Sequence, residues 1–206
     1  MKFINQYPTA TAGLALGFST ALWVWSLLEI PTLATNILLI IAFVVALALI
    51  LPILIRFCSH PGMLYTELKD PTVGSVAPTL TLTLMILAYF ISKISTVIGS
   101  IVWIIAIIAH FFFFLTFAYQ RVKTSQCFHS HILPSWFVPT TGMIVACITQ
   151  PSPVFRPLSE IIFIFGTVCY VILMPLVLYR LCLGIPLKEG HKATLALLTT
   201  PSNLIL

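Results

Sequence analysis

The 206-residue chain is 60% hydrophobic and 7% charged, with a mean hydropathy of +1.11; soluble domains carry about a quarter charged residues, so a water-facing coat is excluded and the chain reads as an all-α integral membrane protein. Its ten Lys and Arg against five Asp and Glu follow the loop order of such a protein, and no nucleic-acid partner is expected. Five cysteines, at 58, 127, 147, 169 and 182, form no CxxC pair and no regular spacing, which argues against a disulfide framework and a zinc site.

A helix crosses the hydrocarbon layer with about 20 apolar residues. Uncharged stretches mark six spans in one transmembrane domain 1–206, at 8–28, 36–55, 75–92, 97–119, 136–151 and 159–179. The first follows Lys2 but ends without a small-residue cleavage site, unlike a signal peptide. It carries Thr9, Thr11, Gly13, Gly17, Ser19, Thr20 and Ser26, and Gly13 and Gly17 form a GxxxG spacing that permits close helix approach. The second span has no Ser, Thr or Gly over 37–55, and the third brings Thr79, Thr81 and Thr83. The fourth is an Ile and Phe run with His110 and Thr116. There His110 reads as a lone hydrogen-bond donor to a neighbour rather than a proton relay, and Phe111 to Phe114 as lipid or packing surface.

Between the fourth and fifth spans lie Cys127, His129, Ser130 and His131. Imidazole and thiolate suit Zn or Cu, but a solvated loop is the simpler reading, and neither a metal nor another cofactor is expected. The fifth span holds Thr140, Thr141, Gly142 and Thr149, while the sixth adds only Gly166, Thr167, Cys169 and Tyr170. Glu160 and Arg180 bracket the sixth as interface anchors. The uncharged residues 193–206 reach roughly 21 Å at about 1.5 Å per residue, so they form a partial seventh span, with Thr194, Thr199, Thr200, Ser202 and Asn203.

Odd spans are thus rich in small and hydroxylated residues, and even spans are greasy. Lipid offers hydroxyls nothing to bond, so the odd spans belong at helix contacts or along a water-accessible path. Pro8-Thr9, Pro78-Thr79, Pro139-Thr140 and Pro201-Ser202 recur in the odd spans at spacings of 70, 61 and 62 residues, one helical hairpin per repeat. The predicted architecture is an inner ring of proline-kinked odd helices surrounded by even ones. Basic residues stay on the cytoplasmic side. With the N-terminus inside, Lys2, Arg56, Lys69, Arg121, Lys123, Arg180, Lys188 and Lys192 are cytoplasmic, and only Lys93 and Arg156 lie outside.

Several motifs in this order resemble the tellurite-resistance and C4-dicarboxylate transporter family, which includes malic-acid transporters and slow anion channels. They are Tyr7-Pro8 with Gly13-Leu-Ala-Leu-Gly17, Glu67-Leu-Lys-Asp-Pro71 leading to Ser75 and Pro78, the stretch 103–110, Pro134-Ser-Trp-Phe-Val-Pro139 with Gly142, and Lys192-Ala-Thr-Leu-Ala with Thr200-Pro201-Ser202. The resemblance implies ten helices in five hairpins around a central pore, commonly in trimers, in a bacterial inner membrane. This chain supplies three hairpins and part of a fourth, as though truncated at its C-terminus, and the family's pore-occluding phenylalanine belongs to helix nine.

No span contains paired carboxylates, a Ser/His/Asp set, HExxH or a phosphate-cradling glycine loop, so an enzyme is not expected. The expected function is transport of anions or small organic acids across the bilayer, along a path lined by Gly13, Gly17, Thr20, Pro78, Thr79, Thr83, Pro139, Thr140 and Gly142. Without Lys or Arg at mid-depth, its selectivity falls to hydroxyls, unpaired backbone groups and pore width. The rival reading is a truncated, non-transporting remnant or assembly subunit. A ring short of its closing hairpins would leave the faces of Thr79, Thr140 and Thr194 partly open on one side.

Overall fold

The computed structural model describes residues 7–28, 33–123, 132–182 and 189–198, and every regular element among them is helical. In chain order they are α1 (Thr11–Leu27), α2 (Leu33–Ser59), α3 (Pro61–Lys69), α4 (Val73–Val76), α5 (Thr79–Ile94), α6 (Thr96–Lys123), α7 (Phe137–Thr140), α8 (Val145–Ile148) and α9 (Arg156–Cys182), with a terminal 3-10 stretch, Glu189–Leu198. Among the described residues Asn36–Ser59, Val73–Ile94, Thr96–Lys123 and Pro153–Cys182 are long and apolar enough to cross a bilayer, while Thr11–Leu27 and Pro134–Ile148 are apolar but shorter. The loop of Cys127, His129, Ser130 and His131 lies outside the described residues, as do Thr199, Thr200, Pro201, Ser202 and Asn203.

Helices α2, α6 and α9 form the outer layer. Only 17%, 28% and 22% of their most apolar stretches is buried, against 72% for Val73–Ile94. Ile40, Val44, Ile104 and Phe112 point outward, at positions where lipid rather than water satisfies an apolar side chain. Inside, Ala12 and Ala15 of α1 pack on Ala46, Ile50 and Ile53 of α2 and on Leu80 and Leu87 of α5. The small alanines let the backbones come close, which is how membrane helices gain packing without a hydrophobic drive. A second core joins Met85, Ile86 and Ala88 of α5 to Trp103 and Ala106 of α6, Ala146 of α8 and Ile162 of α9. Between α5 and α6 the turn is the single residue Ser95, with φ −144° and ψ 107°.

Two of the odd-span prolines do not kink helices in mid-span. Pro8 precedes α1, and Pro78 stands between α4 and α5 as the residue before α5 begins. A proline's fixed φ suits a helix start, where its missing N–H costs no hydrogen bond. Prolines inside long helices are Pro52 of α2 and Pro175 of α9, both in the outer layer.

The fifth span departs most from its expected course. In place of one helix over 136–151, the chain runs through a 3-10 turn at Pro134–Trp136, α7, a second 3-10 turn at Thr141–Ile144, and α8. Three local causes coincide. Pro139 has no N–H to give the carbonyl of Ser135. The hydroxyls of Thr140 and Thr141 donate to the carbonyls of Trp136 and Phe137, each at 2.8 Å, competing with the helical ladder. Across the contact, α9 approaches so closely that a Cβ on Gly166 would lie 2.4 Å from Cγ1 of Ile144.

At the end rich in Lys and Arg, α3 is a separate helix where the sequence reads only as a loop, and a buried network ties it to the chain start. Arg56 pairs with Glu67 at 2.9 Å and donates to the Tyr7 carbonyl and the Thr9 hydroxyl, which itself donates to Glu67. Removing one member of such a pair costs about 3 kcal/mol, at the lower end because Glu67 keeps partial solvent contact. Arg121 likewise donates to the Lys69 carbonyl at 2.6 Å. Arg180 is 6% exposed, so it is a buried residue rather than an interface anchor. Glu160 pairs instead with Arg156, one turn away on the exposed surface, at 3.0 Å.

Candidate functional site

A cavity of about 850 Å³ lies between α1, α5 and the broken segment Pro134–Ile148, with Leu197 on a further side. Each wall is one helical face. On α1 it is chiefly Gly13, Leu16, Gly17 and Thr20, flanked by Trp23 and Trp25; on α5, Thr79, Leu82 and Ile86; on the broken segment, mainly Val138, Thr141, Gly142, Val145 and Ile148. Among the described residues none from α2, α6 or α9 borders it, and neither does any charged side chain. Among the described residues the space is therefore bordered by the inner layer of odd segments.

Of the nine residues singled out from sequence, Gly13, Gly17, Thr20, Thr79 and Gly142 border this cavity. Pro78, Thr83, Pro139 and Thr140 do not. Thr83 is fully buried, with its hydroxyl on the Thr79 carbonyl at 2.9 Å. Thr140 yields its place to Thr141, because the 3-10 turn rotates the chain between them. Gly13 and Gly17, read as a GxxxG packing spacing, make no close helix contact among the described residues. Among these residues a Cβ at either position would meet nothing within 4 Å, and both glycines border the cavity. Nor are Thr79 and Thr194 left open, since both are buried, and Thr140 is half-buried. The open flank is α1, where Gly17 and Thr20 are exposed.

Leu16, Leu82, Ile86 and Val145 escaped the sequence reading, which favoured polar residues. Their signal was periodicity: counting threes and fours from Gly13, Thr79 and Gly142 recovers each face.

The hydroxyl protons of the site are committed. Thr20 donates to the Leu16 carbonyl at 2.8 Å, Thr79 to that of Val76 at 2.8 Å, and Thr141 to that of Phe137 at 2.8 Å. Each threonine therefore turns oxygen lone pairs, not a donor, toward any guest.

Behind this wall sits His110. It is fully buried, not on a lipid-facing surface, with Nδ1 2.8 Å from the Thr81 hydroxyl. Of the neighbouring phenylalanines, Phe111 and Phe112 are exposed and Phe113 is buried, while Phe114 meets Phe165 of α9 edge-on at 5.4 Å.

Comparison with known proteins agrees with this architecture. The family model described as SLAC1, voltage-dependent anion channel, matches residues 7–205. Two proteins of Methanocaldococcus jannaschii, both named uncharacterized transporters, are similar. One is 27% identical over 153 residues, covering 68% of this chain and 45% of the relative. The other is 26% identical over 171 residues, covering 77% and 48%. The chain thus spans about half the length of the curated relatives it matches.

Proposed function

We propose, on the premise that the chain belongs to the voltage-dependent anion channel family, that the cavity between α1, α5 and the broken segment forms part of an anion's path across the membrane. The observation that carries this reading is that the odd segments border the space, while the greasy helices α2, α6 and α9 lie outside it. Gly13, Gly17, Thr20, Thr79 and Gly142 line the path; Thr83, Thr140, Pro78 and Pro139 shape the helices that form it.

The lining supports one kind of selectivity. No fixed cation borders the cavity among the described residues, and its threonine protons are held by backbone carbonyls. Beyond the indole N–H of Trp23, which has no hydrogen-bond partner among the described residues, a guest that sheds water here finds few donors, and burying an unsatisfied charge is costly. Weakly hydrated monovalent anions therefore pass more readily than sulfate or a dicarboxylate, whose second charge doubles the demand. Among the substrates that the resemblance offers, small inorganic anions fit better than C4 acids or tellurium oxyanions. The N-terminus is cytoplasmic in this reading, in a bacterial inner membrane, with the basic end able to concentrate anions, and trimers are the assembly to look for.

Reconstitution into liposomes tests the proposal. Efflux should follow nitrate above chloride, with sulfate and malate far below, and Gly17→Trp should lower chloride efflux about tenfold or more by filling the cavity. Wild-type liposomes no leakier than empty ones would favour the rival, a non-transporting subunit. A reporter cysteine near Lys93 reacting only from the cytoplasmic side would reverse the orientation.

A further inference from the structure

We infer that His110 is a positioning residue of the permeation path: pinned to α5 by one proton, its imidazole buttresses Gly142 from behind and sets the gap between two cavity walls. The inference rests on the transport reading for its role, but on geometry for its substance.

The protons can be counted. Thr81 Oγ1 lies 2.7 Å from the Pro78 carbonyl and 2.8 Å from His110 Nδ1. A hydroxyl has one proton and a carbonyl only accepts. For both contacts to be made together, Thr81 donates to Pro78 and accepts from Nδ1–H, an assignment that leaves Nε2 without a hydrogen-bond partner among the described residues. The chain His110 to Thr81 to Pro78 ends where α5 begins, so the ring is tied to the first turn of that helix.

On its other side the ring faces the broken segment. A Cβ on Gly142 would meet Cδ1 of Leu82 at 3.1 Å and Cε1 of His110 at 3.7 Å. Leu82 and Gly142 both border the cavity, and Gly142 belongs to the second 3-10 turn. His110 thus stands behind the wall where α5 and the broken segment meet. No Asp, Glu, Lys or Arg occurs over 79–92 or 132–149, so this junction is held by neutral hydrogen bonding and shape. A neutral donor of fixed orientation is what such a spacer requires.

The test uses four variants of the full chain and two readouts. Asn places an amide N–H near the position of Nδ1, whereas Gln places one near Nε2. His110→Leu removes the donor at similar size, and Thr81→Val removes the acceptor while keeping the packing. His110→Leu and Thr81→Val should each shift the nitrate-to-chloride permeability ratio by roughly fivefold, the scale of one hydrogen bond. Combined, they should shift it no further. His110→Asn should stay within about twofold of wild type, and His110→Gln should resemble Leu. The second readout is thiol labelling with the native cysteines replaced: the rate at Val145→Cys should change with His110→Leu or Thr81→Val, and the rate at Thr20→Cys on α1 should not. If wild type moves no anion, the transport reading fails and labelling alone decides this one. If His110→Leu does not fold, Thr81→Val decides. Wild-type ratio and labelling in a folded Thr81→Val, or rescue by Gln equal to that by Asn, would overturn the inference.

Discussion

Helix α5 and the broken segment Pro134–Ile148 begin alike and end differently. Each starts beside a buried serine, and the two hydroxyls, Ser75 and Ser135, bond each other at 2.7 Å. Each continues through Pro-Thr and lines the same cavity. Yet α5 runs unbroken for 16 residues, while its counterpart changes helical type three times. The difference lies in where proline falls. Pro78 precedes its helix, so its missing N–H is an unneeded one. Pro139 lies inside α7, where the loss interrupts a ladder. A shared motif therefore does not fix a shared conformation; its offset from the helix start does.

The largest effect should come from the contact that holds the broken segment against α9. Gly166→Val would thrust side-chain atoms into Ile144, and overpacking of this kind costs about 3 kcal/mol. A markedly lower unfolding midpoint in detergent is expected, with no comparable loss for Gly62→Val, where a Cβ meets nothing within 4 Å. Ser135→Ala should come next, at about 1 kcal/mol, because it removes the one hydroxyl pair joining the two segments at their starts; equal stabilities in a chemical unfolding series would show that the pair contributes nothing. Pro139→Ala tests the cause of the break itself. Stability should move by less than ~1 kcal/mol, but amide exchange over residues 140–144 should slow as the restored N–H regularises the turn. Unchanged exchange would shift the blame to the threonines. Smallest is Gly13→Ala, expected to stabilise by about 0.5 kcal/mol, since α1 is regular there and the new methyl enters open space.

The layering was legible because lipid is an indifferent solvent for hydroxyls: a span such as 37–55, with no Ser, Thr or Gly, has no reason to turn inward. The cavity was legible in part for the same reason. What stayed hidden depended on partners distant in sequence. His110 looked solitary in an Ile and Phe run, and only the fold brings Thr81 to it, 29 residues away. Arg56 looked like a topology charge until Glu67, Thr9 and Tyr7 gave it partners. The GxxxG spacing is compatible with both a packed and an empty face, and nothing local distinguishes them. The break at Thr141–Ile144 needed Gly166, on another helix, to admit Ile144.

The one-residue turn at Ser95 bears on how the protein enters the membrane. With Gly99 close enough to Ser92 that a Cβ there would sit 2.6 Å from its Cα, α5 and α6 have no slack to cross separately and find each other later. A junction this tight favours their insertion as a pair, with Lys93 near its tip. The α5–α6 hairpin is therefore one packed unit, against which α1 and the broken segment lie.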